Sequence, residues 1–122
     1  MPMSEAFKSR LFPVIRDIAA HYGTPFHIYD EAGNRETGEQ LKKAFAGISG
    51  FREYFAVKAL PNRSILRLMK EMGFGFDCSS IPELILAREV GAKPEEIMFT
   101  SNNTSPEEFA FAARDKIGRA HV

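Results

Sequence analysis

The sequence has a single cysteine and no net charge, and each shortage removes a class of protein from consideration. With Cys78 alone, an internal disulfide is excluded. Sixteen Lys and Arg residues are matched by sixteen Asp and Glu. That balance leaves no electrostatic footprint for nucleic acid or an anionic membrane, so a ligand has to be recognised locally. No stretch is long and apolar enough to cross a bilayer, and the segment from Met1 to Arg10 lacks the apolar core of a signal peptide, so cytoplasmic residence is expected. His21, His27 and His121 have neither the spacing nor the neighbours of a metal site, and no metal is expected.

What remains is ordinary for a soluble globular chain: 122 residues, 44% hydrophobic and 26% charged, enough for one modest domain. The pattern predicts a short helix over Pro13 to Tyr22, stopped by Gly23, then a strand over Thr24 to Tyr29. Asp30 is placed to cap a following helix toward Phe45 and Ile48, which Gly33 and Gly38 weaken. From Tyr54 the pattern tightens into strand and helix alternation. Tyr54 to Val57 reads as a strand, and Arg63 to Met72 as a helix capped by Asn62 and ended by Gly73. Phe74 to Cys78 is the second strand, followed by a capping box of Ser80 and Glu83 and a helix to Val90. Ile97 to Thr100 is the third strand, and a second box, Ser105 with Glu108, opens its helix.

Strands joined by helices run parallel and need cover on both faces, which predicts an α/β barrel or a doubly wound sheet. In either, the ligand lies at the carboxyl ends of the strands. Lys58, the segment Asp77 to Ser80 and the loop Ser101 to Asn103 all fall there. Lys58 stands at the mouth of the first strand, where desolvation can turn an amine into a Schiff-base nucleophile. The plainer alternative is a lysine that sends its ammonium into water along its alkyl stem.

The run Tyr54, Phe55, Ala56, Val57, Lys58, Ala59, Leu60, Pro61 and Asn62, followed by Gly73 to Ser80 with Glu83 and Leu84, resembles the alanine-racemase-fold pyridoxal phosphate decarboxylases. That family acts on diaminopimelate, ornithine, arginine or carboxynorspermidine. Its motif is of the type Tyr-x-Ala-Val-Lys-Ala-Asn-Pro, with Leu60 here where asparagine is common. The resemblance runs from about Pro13 to Arg114 and implies the amino-terminal part of a TIM-type (β/α)8 barrel that binds pyridoxal 5'-phosphate. It implies that Lys58 is the catalytic lysine that binds the cofactor aldehyde. It implies that Asp77 lies near the cofactor, pairing with or orienting Lys58. The lead-in Gly23, Thr24, Pro25 is similar to that of the diaminopimelate decarboxylases, which favours meso-diaminopimelate as substrate and L-lysine as product. Arginine, ornithine or carboxynorspermidine decarboxylation is the alternative, as is a homologue that binds the cofactor without catalysis. The implied partners are a small amino acid and a second copy of the full-length chain.

Each candidate also has a structural reading. Asp77 can cap a turn, Glu83 is fully used as a capping-box residue even though it matches an acidic family position, and Ser101, Asn102 and Asn103 are ordinary turn residues. Cys78 reads as a small buried residue, since nothing nearby would lower its pKa, and His27 as packed within its strand.

Three βα units are about a third of a barrel, which typically takes about 250 residues. The segment 1–30 is expected to pack with a carboxyl-terminal β domain, and 31–116 to begin the cofactor-binding barrel. Residues 117–122 break the helical pattern and are the translation of ATC GGA AGA GCA CAC GTC, a common sequencing-adapter string, so a non-native tail is expected there. Such a piece alone is expected to be inactive and weakly stable, with sheet edges unpaired.

Overall fold

A computed structural model of the chain describes residues 3–100 and 103–119. Two compact units are distinguished, Met1–Gln40 and Leu41–Val122.

The first unit is built from short helices. Ser4 opens α1 (Glu5–Leu11) by accepting the Phe7 N–H on its hydroxyl at 3.1 Å, a helix absent from the sequence expectation. The second helix, α2 (Ile15–Tyr22), ends at Gly23, whose φ of +78° is the left-handed turn that glycine supplies without a Cβ penalty. The strand expected over Thr24 to Tyr29 is not formed. Phe26 and Ile28 are half-buried and His27 and Tyr29 exposed, so the alternation is kept, but among the described residues no neighbouring strand completes a ladder. His27 is therefore a surface residue, not one packed in a strand.

The third helix, α3 (Glu31–Ala44), forms through both glycines. Gly33 assists it: a Cβ there would lie 2.6 Å from Oδ2 of Asp30, the carboxylate that caps the helix. Arg10 grips that carboxylate, donating from Nη2 to both oxygens at 2.7 and 2.6 Å. Burial would raise the Asp30 carboxyl, but the Gly33 N–H, the Arg10 guanidinium and the Ala32 N–H outweigh it and hold the group below its ordinary value.

Among the described residues the second unit holds four parallel strands, β1 (Tyr54–Ala56), β2 (Gly75–Cys78), β3 (Ile97–Phe99) and β4 (Gly118–Arg119), in the order 1-2-3-4. A doubly wound sheet reverses its order at a switch point, whereas a barrel winds on in sequence order. The observed order is that of a barrel. Three helices make the crossovers, α4 (Arg63–Glu71), α5 (Ile81–Glu89) and α6 (Pro106–Arg114). Asn62 caps α4 as expected, its Oδ1 accepting from Ser64 N–H at 2.9 Å and Ile65 N–H at 3.3 Å. Ser105 and Glu108 complete the expected box on α6, at 2.9 and 3.2 Å.

The box expected on α5 is not made. The Ser80 hydroxyl donates to Glu83 Oε1 at 2.8 Å instead of accepting a backbone N–H, because the Glu83 carboxylate has turned back to take the Ser79 N–H on Oε2 at 3.2 Å.

Strand alternation sorts the side chains. Phe55, Phe76, Cys78, Ile97 and Phe99 face the helices and form one core with Val57, Ile65, Leu66, Leu68, Met69, Leu84 and Ala87. The register pairs Tyr54 with Gly75, Ala56 with Asp77, and Asp77 with Met98, which puts those residues on the opposite face. Gly75 is needed there. A Cβ would lie 2.6 Å from two ring carbons of Tyr54 and 2.7 Å from the Glu96 carbonyl oxygen.

Candidate functional site

Lys58 lies just past β1. The strand ends at Ala56 and Val57–Ala59 form one turn of 3-10 helix, so Val57 drops into the core while Lys58 is exposed. The described residues do not bury the amine, contrary to the expectation of a desolvated strand mouth. Nor does its Nζ hydrogen-bond or pair with a carboxylate among them. The turn itself is anchored by Leu60 N–H on Val57 C=O at 3.2 Å and by contacts to β2 and α5.

Asp77 is on the adjacent strand, paired in register with Ala56, and half-buried. Its hydrogen-bond partner is the Thr100 hydroxyl, which donates to Oδ1. Among the described residues Lys58 and Asp77 are brought to the same end of neighbouring strands without an ion pair. Glu83, in the first turn of α5, holds Ser79 and Ser80 and so fixes the backbone just after β2. Asn103 is exposed, and Ser101 and Asn102 lie outside the described residues.

Cys78 is fully buried. Burial pushes its thiol up to about 12, with the Glu83 and Asp77 carboxylates adding to the effect. It is inert as a nucleophile in the folded chain, in line with its reading as a core residue. A groove of about 450 Å³ opens elsewhere, at the amino ends of the strands, lined by Tyr54, Pro94, Glu95, Met98, Lys116 and Gly118. It contains none of the candidate residues.

Thr100 is the residue that sequence reasoning missed. Its role follows from the pairing of β2 with β3, and only the alternation along two aligned strands would have signalled it.

The arrangement suits an aldehyde cofactor. An amine unpaired among the described residues and a carboxylate with one oxygen uncommitted among them, both at the carboxyl end of a parallel sheet, are groups that could bind a carbonyl and orient a cationic ring or amine. Residues 34–122 match the model of the pyridoxal-dependent decarboxylase family, over its pyridoxal-binding domain. The chain belongs to that family. Pyridoxal phosphate is accordingly its cofactor.

The chain is similar to Protein TabA of Pseudomonas amygdali pv. tabaci, 52% identical over 92% of this chain and 26% of the relative's own length. Diaminopimelate decarboxylase of Methanothermobacter thermautotrophicus is 37% identical over 79% of the chain and 23% of its own length. The crystal structure of Helicobacter pylori diaminopimelate decarboxylase in complex with L-lysine superposes with a TM-score of 0.71 at 30% identity, covering 84% of this chain and 26% of that one. The chain thus spans about a quarter of the length of the relatives it matches. The sheet described above corresponds to part of the barrel of these pyridoxal decarboxylases.

Proposed function

We propose that the whole protein decarboxylates an amino acid with pyridoxal phosphate, with Lys58 as the lysine that binds the cofactor aldehyde. The observation that carries this is the exposed amine at the carboxyl end of β1, unpaired among the described residues and inside the motif Ala56, Val57, Lys58, Ala59. When bound, the cofactor supplies an electron sink for the charge left by loss of carbon dioxide. The chain's own part is positional. Lys58 holds the cofactor, Asp77 presents a carboxylate beside it, and Glu83 shapes the turn after β2 that keeps Asp77 in register.

We favour meso-diaminopimelate as substrate and L-lysine as product. The Gly23, Thr24, Pro25 lead-in and the diaminopimelate decarboxylases among the relatives support this. A second reading rests on TabA, whose higher identity comes with a name that states no substrate. It leaves another amino acid, such as arginine, ornithine or carboxynorspermidine, or a homologue without catalysis. A homodimer in the cytoplasm completes the proposal; no helix among the described residues is long and apolar enough to cross a membrane.

Borohydride reduction of the cofactor-loaded full-length protein tests the lysine. The cofactor mass is expected on the peptide containing Lys58, and labelling of another lysine overturns the assignment. Carbon dioxide release from a panel of these amino acids then separates the substrates, and release from none of them leaves a cofactor-binding homologue.

A further inference from the structure

We infer that Thr100 is a positioning residue for the pyridoxal site: its hydroxyl, donated to Oδ1 of Asp77, fixes the direction in which the carboxylate presents its other oxygen. The inference rests on the reading of Asp77 as a residue beside the cofactor.

The geometry begins with the backbone. Thr100 is one residue past β3, yet its N–H still donates to the Cys78 carbonyl at 2.9 Å, so it continues the ladder with β2. Since Asp77 pairs with Met98, alternation puts Thr100, two residues on, on the same face as Asp77 and one step nearer the carboxyl ends. Both side chains are half-buried, where a hydrogen bond to a carboxylate is worth more than in open water. The β-branched threonine has few side-chain rotamers, so the donor is held in place by its own backbone.

Among the described residues no other hydroxyl is hydrogen-bonded to Asp77. Ser80 is committed to Glu83, and the Ser79 backbone N–H is held by the same carboxylate. Oδ2 of Asp77 has no hydrogen-bond partner among the described residues. A carboxylate tethered at one oxygen and open at the other is restrained in its rotation. That is what a group needs if it is to meet a cofactor at a fixed angle.

The test is the affinity of the full-length apoprotein for pyridoxal phosphate, read from the visible absorbance of the bound cofactor, in Thr100→Val, Thr100→Ser and Thr100→Ala. Losing the hydroxyl is expected to weaken binding about tenfold, the scale of one hydrogen bond to a charged group, while serine keeps it within about twofold of wild type. In an Asp77→Asn background, which itself weakens binding, Thr100→Val is expected to add less than about twofold, because its effect runs through Asp77. If valine binds the cofactor like wild type, or serine fails to rescue, or valine costs as much without Asp77 as with it, the inference is wrong. Should valine impair folding, the alanine and serine pair carries the same comparison. Failure of the underlying reading looks different: Asp77→Asn would leave cofactor affinity unchanged, or Lys58→Ala would retain the lysine-linked absorbance band.

Discussion

From Leu41 onward, one continuous cluster of buried apolar side chains runs from Val57 to Ile117, whereas in Met1–Gln40 Leu11 is the buried hydrophobic among the described residues. The two units hold themselves together differently. The second is organised by alternation along strands and helical faces laid over them. The first relies on polar clips at helix ends, Ser4 on α1 and Arg10 with Asp30 on α3. Such clips decide where a helix starts, but an exposed ion pair adds little to how firmly it stays folded.

Leu66→Ala should give the largest effect, because the side chain is fully buried within the core cluster. A loss of about 3–5 kcal/mol is expected in urea denaturation, against about 2 for Leu11→Ala. Equal losses at the two positions would erase the contrast between the units. Gly75→Ala comes next, at about 1–3 kcal/mol, since the added methyl meets the Tyr54 ring and the Glu96 carbonyl. Adding Tyr54→Ala should recover part of that loss, and no recovery would mean that the backbone contact dominates. Removing the α4 cap with Asn62→Ala is expected to cost about 1 kcal/mol, while Asn62→Asp should be close to neutral.

The smallest effect is electrostatic. The Asp30 carboxyl is held low in the folded chain, so its contribution is full above the ordinary value of 3.8 and disappears as pH falls through the lower folded value. Asp30→Asn should flatten the acid side of the stability profile of the first unit. Glu96, held low by the Lys93 N–H and by Lys70 against the opposing effect of burial, behaves in the same sense in the second unit. An unchanged acid slope in Asp30→Asn, or in Glu96→Gln for the second unit, would show that the interaction persists when the chain unfolds.

The same contrast explains what could be read in advance. The three βα units are written in local signals: Asn62 before an apolar helical face, Gly73 after it, Ser105 with Glu108. Each works through residues a few positions apart. The segment Thr24 to Tyr29 has the alternation of a strand, but a strand is a relation between two segments and the sequence names only one. The helix at Glu5–Leu11 is poorly marked in the sequence because its first turn carries little apolar periodicity, and the cap at Ser4 is its clearest sign. At the site, Lys58 could be found from its place after a strand and its motif. The bond between Thr100 and Asp77 could not, since it depends on the register of two strands and on how far the ladder runs beyond β3.

Cys78 sits against that same register, its backbone carbonyl bound by Thr100 and its sulfur sealed beneath the sheet. The chain therefore carries its own clock. A thiol reagent cannot reach the sulfur, or find it as thiolate, until β2 parts from the helices over it, so the rate at which Cys78 is modified counts openings of the very strand that bears Asp77.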